Sequence, residues 1–184
     1  AVVTVGSATA NAGPDKNICL GESTTLTATG GGTYQWSNGQ TTATITVSPT
    51  STTTYTVTVT SSAGCTATDS AVVTVGSAVA NAGPDKNICL GQSTTLTATG
   101  GGTYQWSNGQ TTATITVSPT STTTYTVTVT GGAGCTATDS AVVTVGSAVA
   151  NAGPDKNICL GQSTTLTATG GGAYQWSNGQ TTAT

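Results

Sequence analysis

The chain has 184 residues, a net charge of −3 and only 5% charged side chains, room for one large domain or two small ones. Its three cations are all lysine, which excludes the clustered Lys/Arg that a phosphate backbone or an anionic membrane surface requires. Disorder goes with low hydrophobicity and high charge; this chain has 25 glycines beside a 35% apolar share and almost no charge, so it should fold.

The organising feature is the stretch NAGPDKNICLG, which begins at Asn11 and recurs at Asn81 and Asn151, a period of 70 residues. Residues 1–70 and 71–140 differ at four positions: Thr9/Val79, Glu22/Gln92, Ser61/Gly131 and Ser62/Gly132. The remaining residues, 141–184, differ from the second copy only at Thr103/Ala173. A repeat of this length and fidelity means an array. It predicts the closing strand of a preceding module over 1–6, modules over 7–76 and 77–146, and the first strands of a third over 147–184.

Within one copy almost every segment alternates with period two, as half-buried strands do. Lys16–Leu20 opens the module, and Ser23–Thr29 sets Leu26 and Ala28 against threonines. Thr33–Ser37 places Tyr34 and Trp36 on one face. Thr42–Ser48 alternates Ile45 and Val47 with threonine, and Thr53–Thr60 does the same with Tyr55, Val57 and Val59. Cys65–Val75 closes the module with Ala71, Val73 and Val75 on one parity. The breaks are turn residues: Gly30-Gly31-Gly32, the hairpin signal Asn38-Gly39, Pro49, and Ala63-Gly64. Nothing has helical periodicity. Short strands at this spacing predict an all-β fold, a β-sandwich per module.

So small a module needs support beyond its core. Cys19 and Cys65 are expected to form a disulfide inside the first module, and Cys89 and Cys135 inside the second, leaving Cys159 without a partner in the chain. Closing such a loop stabilises by about 4 kcal/mol on the chain-entropy argument. Disulfides imply an oxidising, extracellular location. Two cysteines without histidine do not make a zinc site.

The order AGPD, C-x-G-x-S-x-x-L-x-A-x-G from Cys19, Tyr34-Gln35-Trp36, the run ITVSPTSTTTYTVTVT from Ile45, Gly64-Cys65 and a closing AVVTV resembles the tandem bacterial Ig-like/PKD-like repeats of large Bacteroidota surface proteins. Those proteins are often exported by type IX secretion. PKD domains proper usually carry a W-D-F-G-D-type stretch, and Trp36-Ser37-Asn38-Gly39 stands here instead, which favours the Ig-like branch. The resemblance implies tandem immunoglobulin-like sandwiches in a linear array, used as a stalk, spacer or adhesive filament.

Candidate sites each have a structural reading beside the functional one. Tyr34 and Trp36 could stack on a sugar, but a central strand facing Leu26, Ile45 and Val57 makes them core. Asp15 with Asn11 and Asn17, joined by Asp69, could offer oxygens to calcium, but Pro14-Asp15 is equally a turn initiator. There is no histidine, and Glu22 is replaced by Gln92 and Gln162, so no base is available to activate a serine or threonine. Gly30–Gly32 leads into no helix and cradles no phosphate. No catalytic, cofactor or metal residue is therefore expected; the cysteines are the only site residues. The expected partners are neighbouring repeats, with lateral association into a fibre through poorly charged threonine faces, and neither nucleic acid nor membrane insertion. The competing function is an adhesive module that binds polysaccharide or another surface.

Overall fold

A computed structural model describes residues 6–184; most of the closing strand expected over 1–6 lies outside the described residues. In the first copy the strands are β1 (Lys16–Cys19), β2 (Thr24–Thr27), β3 (Thr33–Trp36), β4 (Thr44–Val47), β5 (Thr53–Thr60) and β6 (Thr66–Gly76). The second repeats them as β7 (Lys86–Cys89), β8 (Thr94–Thr97), β9 (Thr103–Trp106), β10 (Thr114–Val117), β11 (Thr123–Thr130) and β12 (Thr136–Gly146). The fold is all-β, as the alternation requires.

Two sheets face each other in the first copy, one ordered β1-β6-β5-β3 and one pairing β2 with β4; the second copy repeats this order. The chain changes sheets early. Asn11 bridges Thr29, beyond the end of β2. Gly13 then takes a φ of +81°, which glycine alone adopts at no cost, with its N–H on the Asn11 side-chain oxygen. Pro14 follows, and β1 pairs in parallel with β6 from Lys16↔Val73 to Cys19↔Gly76. Asn38-Gly39 does make a tight turn, with the Trp36 N–H on the Gln40 carbonyl at 2.8 Å. The strands it joins go to different sheets, so it links the layers rather than closing a hairpin.

The inward parity of the strands is the core. Leu26, Trp36 and Ile45 are buried, and Val57, Val59, Ala71 and Val73 have no exposed surface. Each buried Leu, Ile or Val side chain among them contributes about 1.5–3 kcal/mol. The outward parity is mostly threonine, with Asn17, Gln35 and Ser70 among it.

Contacts divide the chain into two compact units. The larger comprises residues up to Gly83 with Thr97–Ile115 and Tyr125–Ser140; the smaller comprises Pro84–Leu96, Thr116–Thr124 and Ala141–Thr184. In the larger, Val127–Thr130 of β11 pair antiparallel with β9. In the smaller, β7 pairs in parallel with β12 from Lys86↔Val143 to Cys89↔Gly146, the register of the first copy. Residues 151–184 carry the Asn151–Thr169 bridge and the Trp176–Gln180 turn, and no strand. The opening strands β1, β2 and β3 all pair with later ones, and residues 151–184 include no counterpart of these.

Candidate functional site: a cysteine junction between repeats

The disulfide is not the one expected. Cys19 is bonded to Cys135 of the next copy, with Cα atoms 5.6 Å apart and a sequence separation of 116, and Cys65, Cys89 and Cys159 are free thiols. Both bonded residues lie in the larger unit. The parallel pairing of β1 with β6 explains the correction. Cys19 stands level with Gly76 at the end of β6, whereas Cys65 immediately precedes its start. Cys65 lies 11 residues before Gly76, so about 36 Å of extended chain separates the two. A disulfide spans Cα atoms no more than about 7 Å apart. The same register sets Cys89 level with Gly146 while Cys135 precedes Thr136, so that pair is out of reach too. The expected pairs Cys19–Cys65 and Cys89–Cys135 are thus replaced by one bond that ties the first copy to the second.

The junction is built around glycine. Gly132–Gly134, in the β11–β12 hairpin, form a single 3-10 turn in which Ala133 has a φ of 58°. This turn lies on the ends of β1 and β6. A side chain on Gly76 would run into the Gly132 carbonyl and stand 2.6 Å from the Ala133 Cβ. One on Gly131 would run into the Ser77 carbonyl. Backbone therefore packs directly on backbone, and the absence of Cβ atoms brings the two sulfurs together. The hairpin buries what it covers: Gly76 is buried and Cys135 is 4% exposed. The equivalent Gly146 is exposed and Cys65 half-buried.

The oxygen-rich cluster considered for calcium is engaged with backbone. Asp69 accepts from the Ala12 N–H at 2.8 Å, Asp15 from the Val72 N–H at 2.8 Å, and Asn11 from the Gly13 N–H at 2.7 Å. Asp139 and Asp85 repeat the first two on Ala82 and Val142. The Ala12 N–H and then the Ser70 N–H hold the Asp69 carboxyl below the usual aspartate value, and Ala82 and Ser140 do the same for Asp139. These carboxylates pin the opening segment to the closing strand. Among the described residues no three His, Cys, Asp or Glu side chains are grouped to hold a metal.

Trp36 is 1% exposed, and its indole N–H donates to the Thr42 carbonyl at 3.0 Å, so it presents no face to a sugar. Tyr34 is half-buried against the same core.

Sequence reasoning missed Gly76, Gly131, Gly132 and Ala133 as junction residues. A signal was present: two of the four differences between the copies, Ser61/Gly131 and Ser62/Gly132, fall in this hairpin.

No protein-family model matches the chain, and no curated protein matches it. Solved structures do. Immunoglobulin domains 1–4 of Sidekick-1 align with a TM-score of 0.50 at 16% identity, covering 78% of this chain and 51% of that one. A three-Ig fragment of titin gives 0.48 at 16%, covering 76% and 65%. The three N-terminal domains of the bacteriophage RB49 outer capsid protein Hoc give 0.39 at 23%, covering 90% and 69%. This chain spans about half to two thirds of the first two. At this identity the Sidekick-1 likeness is one of fold, and it agrees with the strand order: the chain folds as tandem immunoglobulin-like β-sandwiches.

Proposed function

We propose that the chain is a structural repeat segment of a secreted surface protein, with modules over 7–76 and 77–146, acting as a stalk or extracellular filament. The observation that carries this reading is the Cys19–Cys135 bond. A bond between successive repeats supports a load-bearing array, because it carries force from one repeat to the next without unfolding the residues between. Tension along the backbone enters at Cys19 and leaves through Cys135, so the intervening residues bear none of it. The bond also suits an oxidising, extracellular location, and the resemblance to bacterial surface repeats supports the same compartment. Threonine-rich outer faces and few charges suit lateral contact between arrays.

Single-molecule stretching tests the reading. Reducing the bond releases 116 residues of hidden length, about 400 Å at full extension. Oxidised and reduced chains that extend equally would refute a load-bearing role. On a glycan array, saturable sugar-specific binding by the oxidised chain would favour the adhesive alternative instead.

A further inference from the structure

Cys65 and Cys89 occupy the positions of the bonded pair, each one repeat removed: Cys65 is the counterpart of Cys135, and Cys89 that of Cys19. Their surroundings are reproduced as well. A side chain on Gly6, the counterpart of Gly76, would stand 2.5 Å from the Ala63 Cβ and 3.3 Å from the Cys65 sulfur. The Gly76–Ala133 contact beside the formed bond has the same character, at 2.6 Å. The Cys65 thiol lies 3.3 Å from the Gly6 carbonyl oxygen, so Ser61 and Ser62, in place of Gly131 and Gly132, still let the hairpin reach the incoming chain. At the other half, Cys89 is level with Gly146, and the Leu90 N–H donates to the Gly146 carbonyl at 2.8 Å. Around the formed bond, Cys19 is level with Gly76 and Leu20 donates to Gly76 at 2.9 Å. Cys89 and Gly146 are both exposed, where Cys19 is half-buried and Gly76 buried beneath the hairpin.

We propose that Cys65 and Cys89 are the two halves of the same lock, and that each takes a further copy of this repeat. Cys65 bonds the cysteine of the KNIC strand of a preceding copy, and Cys89 bonds the hairpin cysteine of a following one. Each bond forms by exchange with a small disulfide such as oxidised glutathione. One thiolate attacks it and releases a first glutathione; the second thiolate attacks the mixed disulfide and releases the other. Two thiols are oxidised and one small disulfide is reduced to two thiols. The Cys89 loop begins inside the Cys19–Cys135 loop, so consecutive loops overlap and no repeat can be drawn out alone. The inference rests on the structural-array reading and adds that every junction is covalent.

The test extends the chain after Thr184 by a copy of Ile115–Gly146, which supplies the third repeat with its hairpin cysteine. The protein is oxidised with glutathione disulfide, free thiols are alkylated, and intact mass counts them. With the lock at Cys89, Cys159→Ser leaves one alkylated thiol, Cys65, and Cys89→Ser leaves three. Pairing inside the third repeat gives the reverse, three and one, and overturns the proposal. Cys89 found alkylated by peptide mapping in both the parent and Cys159→Ser overturns it as well. A disulfide-linked dimer that requires both Cys89 and the added cysteine supports the lock, with a second chain as the source of the copy. If Cys19 and Cys135 are themselves alkylated, the array reading fails too; if only Cys89 is, that reading stands with a single lock.

Discussion

Gly76 ends β6 against Ala133 of the next copy, so closely that a Cβ at Gly76 would stand 2.6 Å from that of Ala133. Two repeats meet here with only the Ala133 methyl between their backbones. Gly76→Ala should therefore force the hairpin away, at the 1–3 kcal/mol typical of overpacking, and slow formation of the Cys19–Cys135 bond. Gly146→Ala is the control, because the nearest atom to its added Cβ is the Ile88 carbonyl oxygen at 4.0 Å. It should change stability by less than about 0.5 kcal/mol. Urea denaturation of the oxidised proteins, with a time course of thiol loss, checks both.

Removing the junction bond should be costly and removing the Cys65 thiol should not. Cys135→Ser and Cys19→Ser are each expected to lower stability by about 2–5 kcal/mol. The double variant should lose no more than either single one, since both delete the same bond. Cys65→Ser should lie within about 0.5 kcal/mol of the parent. Disulfide pairing inside each module would give another pattern, with Cys65→Ser as harmful as Cys19→Ser. Denaturation midpoints of the four variants separate the two.

The aspartates give stability a pH dependence of defined sign. Backbone N–H donors hold Asp69 and Asp139 below their ordinary value in the folded state. Their contribution is therefore complete above the unfolded aspartate value, about 3.9, and is lost as pH falls through the lower folded values. Asp69→Ala should be less stable than the parent at pH 7. The gap should begin to close below about pH 4 and vanish only once the pH has fallen below the lower folded value, where the parent carboxyl is protonated. Thermal melts from pH 7 to pH 2 test this, and a gap that widened on acidification would contradict the assignment.

Much of the fold was legible because alternation reads burial directly. Leu26, Ile45, Val57 and Val73 are inward where the period-two pattern put them, and all six strands of the first copy lie within a residue or two of their expected bounds. The pairing of Cys19 was not legible. It depends on β1 running parallel to β6, and nothing in the four residues KNIC distinguishes a parallel partner from an antiparallel one. Once that direction is known, the length of β6 alone excludes Cys65. Asn38-Gly39 failed for a similar reason: a local turn signal fixes the turn, not which sheet the next strand joins.

Trp36 and Trp176 occupy the same place in their repeats but differ in what surrounds them. Trp36 is 1% exposed among the buried side chains of both sheets. Trp176 is only half-buried, although its indole N–H still donates to the Thr182 carbonyl at 2.8 Å. A large side chain in a closed core costs about 3–5 kcal/mol when cut back to alanine, through lost burial and the cavity left behind. Trp36→Ala should fall in that range, and Trp106→Ala with it, since Trp106 is also 1% exposed. Trp176→Ala should cost far less. Acrylamide should quench Trp176 readily and the other two weakly, which single-tryptophan variants can report. Ready quenching of Trp36 in the folded protein would mean an open aromatic face there and would return the sugar-stacking reading to contention.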